Sequence, residues 1–397
     1  MRLFDNITRH YEGPALYAEP SFSYLNRSAR LAATRIRQAL DAWFARYPQS
    51  GQADLRGRFR SKDDRHHNSA FFELLLHELL TRMGCSVEIH PSPPDSQITR
   101  HPEFLVQPSQ GSCFYMEAIL ATAESEEESA ARARMNEVYD ALNRLDSPNF
   151  FIGLEIAGLP QSPPRAKRIR AFLKAQLNKL DLDEIAERWK SGGIKAVPHW
   201  RYEHEGWSIT FYPIPKSPKL RGRSGARPIG MLGHEPKFVD SSTPIRNAIL
   251  AKAGRYGDLD LPYVIAVNAL DEASVDETDI MDALFGAEQY TVALGPTGVI
   301  SYPEVSRAPN GAWTSESGPR YTRVSAVLVA VRLSPWTVGS AAVWLIHNPW
   351  AQRPYSSPLT RLPQGTPEAG RMNWHDGDSL HDVLGLPSGW PVFSPAD

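Results

Sequence analysis

The chain is short of almost every feature that would announce a chemistry. Among 397 residues there are two cysteines, Cys85 and Cys113, without CxxC spacing. That excludes a disulfide framework and a zinc knuckle; both fall in or beside strand-like runs and read as small core residues. A Walker loop, a GxGxxG turn and a GxSxG elbow are all missing. Nucleotide hydrolases, dehydrogenases and serine hydrolases therefore lack support, and no small-molecule cofactor is expected. Long apolar runs are missing too. The greasiest stretch, Val324 to Ile346, is interrupted by Arg332 and Pro335 and reads as two strands rather than a membrane span. The opening MRLFDNITRHYEG has no apolar block of the signal-peptide kind, so a cytoplasmic protein with no membrane partner is expected. The histidines are scattered: His66 and His67 sit on a polar loop, His375 and His381 in an irregular tail, and none makes a zinc site.

What the chain does have is unevenly placed charge. Its formal net charge is only -2, yet residues 160–256 hold 19 Lys and Arg against 8 Asp and Glu. Such asymmetry points either to a polyanion partner or to a solvated linker. Within it, RAKRIRAFLKAQL (165–177) is a basic helix carrying Arg165, Lys167, Arg168 and Arg170. KSPKLRGRSGARPIG (216–230) is a Pro/Gly-punctuated loop with Lys216, Lys219, Arg221, Arg223 and Arg227. Between them WRYEHEGWSITFYPIP (200–215) reads as an aromatic hairpin. Cations against phosphates, with aromatics for base stacking, would suit DNA or RNA. Alternate aromatics on a hairpin also serve as core, so the loop cations are the stronger nucleic-acid candidates.

The first third reads as a fold. A helix is expected from about Tyr24 to Tyr47, followed by a polar, turn-rich stretch. A second helix opens near Asn68 or Ser69 and stops at Gly84; its Phe72, Leu75, Leu76, Leu79, Leu80 and Met83 recur at three- and four-residue steps, the mark of one buried side. Three strands follow, at 85–91, 101–108 and 112–120, joined by connections too short for crossover helices; an antiparallel meander results. A helix over 125–145, acidic in its first turns, then carries the chain to an apolar strand at 149–158 as a parallel neighbour. PYVIAVNAL (262–270) is another buried strand.

Three carboxylates stand out against this frame. Glu73 shares an edge of the helix's buried side, where a carboxylate is costly unless paired, hydrogen-bonded or metal-bound. Glu117 falls mid-strand, on one face with Cys113, Tyr115 and Ile119. Glu103 precedes the apolar Phe104-Leu105-Val106 run. A meander in this register brings Glu103 beside Glu117, with Glu73 delivered from the helix, an oxygen-rich site suited to Mg2+ or Mn2+. Otherwise Glu117 faces solvent, Glu73 marks the wet margin of its helix, and Glu103 guards a strand edge.

A helix carrying Glu, a strand, then Pro102-Glu103-Phe104-Leu105-Val106, then Tyr115-Met116-Glu117-Ala118-Ile119 resembles the PD-(D/E)XK, or restriction-endonuclease-like, nuclease superfamily over about residues 68–158. The resemblance implies metal ligation by Glu73, Glu103 and Glu117 and Mg2+-dependent endonuclease chemistry on DNA or RNA, as in bacterial defence or DNA processing. One position departs from the pattern: where the family carries Lys, two residues after the second acid, this chain has Ile119. His77, one turn beyond Glu73, is the nearest replacement candidate, with Lys62 and Lys252 more remote. A site without that cation would leave a degenerate scaffold that binds nucleic acid or protein without cutting. The expected fold is α/β, a mixed central sheet flanked by helices with a restriction-endonuclease-like core. An N-terminal helical extension (1–67), the nuclease-like core (68–159), a basic helical and hairpin segment (160–257) and a C-terminal α/β part completing or extending the sheet (258–397) make up its plan.

Overall fold

A computed structural model describes residues 1–92, 100–223, 227–234, 240–270, 275–291, 304–356, 358–368, 371–387 and 389–391. The chain divides into two compact units. The first comprises Met1–Gly13, Pro20–Ala123 and Val239–Asp397; the second, Pro14–Glu19 and Glu124–Phe238.

The first unit opens with four helices: α1 (Ser21–Arg27), α2 (Leu31–Arg46), α3 (Gln49–Phe59) and α4 (Asp64–Arg82). The single helix expected over 24–47 is thus two, because Ser28 leaves the helix with extended backbone. The expected polar turn contains α3, whose Gly51 and Gly57 obscure the signal. Helix α4 starts about one turn earlier than its apolar pattern does, at the N-cap Asp63, whose carboxylate accepts from the Arg65 N–H. Nor is α4 buried on one side only. Every residue from Ala70 to Leu80 is buried, because α1, α2, α3 and α10 (Leu380–Leu384) pack round it with the sheet. Its interior charges are consequently all paired; Glu78, fully enclosed, accepts from Arg46 and Arg82.

Strands β1 (Cys85–Ile89), β2 (Phe104–Pro108) and β3 (Phe114–Ala121) form the antiparallel meander. The chain then enters the second unit through α5 (Glu126–Asn143), closed at its start by a Ser125/Glu128 capping box. That unit holds β4 (Phe150–Ala157), α6 (Ala166–Leu177), α7 (Leu182–Gly192), the hairpin β5 (Trp200–His204) and β6 (Trp207–Pro215), and β7 (Ile229–His234). Its sheet runs in the order β5-β6-β4-β7. So the parallel neighbour of β3 is not the strand expected at 149–158, and α5 is not the crossover.

After the second unit comes α8 (Ser242–Ala253), then β8 (Tyr263–Ala269), which pairs parallel with β3. The crossover to the parallel strand is therefore an entire folded unit plus α8. Helix α9 (Glu277–Phe285) and two small antiparallel pairs follow, β9 (Glu288–Thr291) with β10 (Glu304–Arg307) and β11 (Thr314–Ser315) with β12 (Gly318–Pro319). Strands β13 (Val324–Val331), β14 (Val343–His347), β15 (Gln364–Glu368) and β16 (Arg371–His375) complete an eight-stranded mixed sheet ordered β1-β2-β3-β8-β13-β14-β15-β16. The first unit is α/β, a large mixed sheet with helices on both faces. Alternate residues sort the two cores: Phe104, Met116, Val264 and Ala266 face α4, while Tyr115, Ile265 and Val267 face α8 and α9. No described helix is long and apolar enough to cross a membrane.

Candidate metal centre

Register puts three polar side chains in one row across the meander. Phe104 pairs with Ile89 on one side and Met116 on the other, so the residue before it, Glu103, stands between His90 and Glu117. The His90 N–H extends the ladder by donating to the Glu103 carbonyl at 2.9 Å. Helix α4 brings Glu73 to the same place. One ligand atom each from Glu73, His90 and Glu103 lie within 4.8 Å of one another. Two donors ~2.0–2.6 Å from a shared cation can stand no more than about 4–5 Å apart. The donor set thus fits a divalent ion in spacing and in chemistry. Glu117 is outside that group of three, and His90, which the sequence reading did not single out, is inside it.

Glu73 and Glu117 are held alike. Each is buried, 3% and 1% exposed, and each has a tyrosine on one oxygen and a cation on the other. Tyr47 donates to Glu73 Oε1 at 2.5 Å and Arg58 Nη2 to Oε2 at 2.7 Å. Tyr256 donates to Glu117 Oε2 at 2.5 Å, and Lys252 Nζ donates to Oε1. The Tyr256 oxygen also lies 3.0 Å from the His101 carbonyl, but its single proton favours the nearer, charged acceptor. These carboxylates make the phenols harder to ionise: burial first, then the adjacent glutamate, raises the pKa of both tyrosines.

Glu103 is different. Its side chain is a quarter exposed, and His90 Nδ1 lies 3.7 Å from its Oε2. Burial, then the charges of Glu73 and Glu117, push its carboxyl up to about 8, against the pull of Lys252 and Arg58. Burial first, and then the two neighbouring acids, favours the protonated form of the middle acid of the row.

The cation beside Glu117 is Lys252, on α8, and not His77. His77 is 4% exposed, packed against Tyr47 and Phe104, with no hydrogen-bond partner for Nδ1 among the described residues. Burial lowers its pKa to about 4, so at neutral pH it has no charge to offer. Lys62 is exposed on the turn between α3 and α4. Lys252 carries the same sequence signal as Glu73. It interrupts the greasy stripe Ile245, Ala248, Ile249, Ala253, Tyr256 at helical spacing, a charge where the helix faces the sheet. Arg58, Tyr47 and Tyr256 had no comparable signal, since each is ordinary for its local pattern.

In the second unit the cations expected to meet nucleic acid divide. Arg165, at the N-cap of α6, and Lys167 and Arg168, on the helix, are exposed; Ile169, Leu173 and Leu177 face the core, and Arg170 is half-buried. Lys219 and Arg223 are exposed. Lys216 is not available: it is 3% exposed, lies over the Phe151 ring and donates to the Ser147 carbonyl at 2.7 Å. Arg227 is also committed, donating to the Ala15 and Pro14 carbonyls. Arg221 is shared between the Lys216 carbonyl and Asp183. A Pro/Gly-rich sequence did not keep these three off packed elements, because the loop folds back on its own unit. Of the hairpin aromatics, Trp207 is core and Trp200 and Tyr202 pack against that core's margin, while Tyr212 donates to Glu155.

Comparison with protein-family models, with curated proteins and with solved structures finds no match for this chain.

Proposed function

We propose that the protein is a metal-dependent nuclease that hydrolyses phosphodiester bonds of DNA or RNA at the site of Glu73 and Glu103, with Glu117 beside it. The observation that carries this reading is the row itself. Adjacent strands set Glu103 beside Glu117 in register, α4 supplies Glu73, and α8 supplies a lysine to the second acid where the strand has Ile119. A Mg2+ or Mn2+ ion held there supplies a Lewis acid for the phosphate and a lowered pKa for bound water. The protein's own groups prepare for that. Tyr47 with Arg58, and Tyr256 with Lys252, fix the orientation of Glu73 and Glu117 while leaving each oxygen a second lone pair. Lys252 has three donors, of which Glu117 takes one; the others are suited to a water or a phosphate oxygen. Exposed Lys167, Arg168, Lys219 and Arg223 are the side chains proposed to meet the phosphate backbone.

A second reading is favoured by one specific observation. Glu73 and Glu117 already have cationic partners, as they would in a binding scaffold that never takes up an ion. Incubation of labelled single- and double-stranded DNA and RNA with Mg2+ or Mn2+ separates the two. The nuclease is expected to cut at least one substrate, and Glu117→Gln and Lys252→Met to slow it by about 100-fold or more. Binding without cutting in either ion, or cutting that both substitutions leave at full rate, would assign the site to the scaffold.

A further inference from the structure

We infer that His90 is a ligand of the ion and makes the site selective for a first-row transition dication, Mn2+ over Mg2+. The inference rests on the metal-site reading above and sharpens it. A site of carboxylates alone suits hard ions, and Mg2+ in particular takes oxygen and gives up its waters reluctantly. An imidazole nitrogen shifts the balance toward the transition metals. His90 is the one nitrogen donor in the group with Glu73 and Glu103, and its Nδ1 is already 3.7 Å from Glu103 Oε2.

The backbone at His90 gives the second argument. His90 has φ of +48°, the left-handed region, immediately after the last residue of β1. Glycine occupies that region without a steric penalty and asparagine at a reduced one, whereas other residues are disfavoured there. A turn there needs no imidazole. What the histidine adds is reach: its N–H is tied to the Glu103 carbonyl at 2.9 Å, and the left-handed backbone leaves its ring half exposed beside the Glu103 carboxylate. Among the described residues its ring makes no hydrogen bond of the kind a purely structural role would require, only the long approach to Glu103.

Substitution by glycine exploits this geometry, because it relieves the backbone while removing the donor. Binding of Mn2+ and of Mg2+ to the full-length chain would be measured by calorimetry, with Mn2+ binding also followed by loss of the free-ion paramagnetic resonance signal. The wild-type chain is expected to bind Mn2+ at least about tenfold more tightly than Mg2+. His90→Gly is expected to lose tenfold or more in Mn2+ affinity and under threefold in Mg2+ affinity, with no fall in the melting temperature of the ion-free protein. His90→Asn, which tolerates the same φ, repeats the measurement should the glycine variant fold poorly. Equal loss of both ions, or no loss of either, would overturn the role of His90 while leaving the metal site standing. A wild-type chain that binds neither ion would overturn both the inference and the reading beneath it.

Discussion

The two units bury charge to opposite ends. In the second, the buried charges close the fold on itself: Lys216 holds the Ser147 carbonyl, and Asp140 accepts from the backbone N–H groups of Tyr17 and Ala18, pinning the strap Pro14–Glu19. Each of these partners is a backbone group. In the first unit Glu78 is used in that way, between Arg46 and Arg82. Five residues before it on the same helix, Glu73 is as fully paired yet stands within ligand distance of His90 and of Glu103, an acid that no cation holds directly. Burial of a charge is therefore a poor signal of function. A charge kept beside another that lacks partners is a better one.

That contrast can be broken at several points, the largest first. Glu117→Leu strands Lys252, which is only 13% exposed, and is expected to cost about 3 kcal/mol in chemical denaturation as well as abolishing cleavage. Adding Lys252→Leu should restore most of that stability and none of the activity. A double variant as unstable as the single one would mean that the pair is not what the fold relies on. In the second unit, Lys216→Met leaves the Ser147 carbonyl short of its donor and is expected to cost about 1–3 kcal/mol. Ion binding should not change, and a loss of Mn2+ affinity there would erase the distinction between the units.

Glu103 sharpens the comparison through pH. Its folded pKa near 8 lies above the ordinary 4.5, so between those values the folded protein binds more protons than the unfolded one. Stability of the ion-free protein in chelator is expected to fall as pH rises from 4.5 toward 8, and to level off beyond. Burial, then Glu73 and Glu117, drive this, and Lys252 and Arg58 oppose it. Glu103→Gln should remove this component of the slope, leaving the variant more stable than wild type at pH 8. Melting curves that superimpose across the range would contradict the burial of Glu103 among the other two acids. The smallest effect is expected on α6, where Lys167→Ala with Arg168→Ala should change stability by less than about 0.5 kcal/mol. If these side chains contact phosphates, the salt dependence of nucleic-acid binding should flatten by roughly one unit of slope per contact; an unchanged slope would free α6 of that role.

Much of the site was legible because it is local. Strands β1 to β3 form the meander expected from their sequence, whose register sets Glu103 opposite Glu117, and the apolar steps of α4 singled out Glu73. What failed was non-local. The strand Phe150–Ala157 has the continuous apolar run of a buried parallel strand and follows a helix, yet it pairs with β6 and β7, and the true neighbour of β3 lies beyond a whole folded unit. No local pattern distinguishes those outcomes. The same limit misjudged the charge. The basic window 160–256 runs past the end of the second unit into α8, taking in Arg246, Lys252 and Arg255, and it leaves out the acidic start of α5. Counted by folded unit, the second carries 19 Lys and Arg against 16 Asp and Glu, a far weaker argument for a polyanion partner. His90 escaped notice because a histidine at a strand end before a proline loop is unremarkable until the register places it in the row.

Anomalous diffraction from crystals soaked in Mn2+ tests the central claim most directly. The expected result is a peak ~2.0–2.6 Å from carboxylate oxygens of both Glu73 and Glu103. A peak elsewhere, or none at an ion concentration that supports full cleavage, would contradict it.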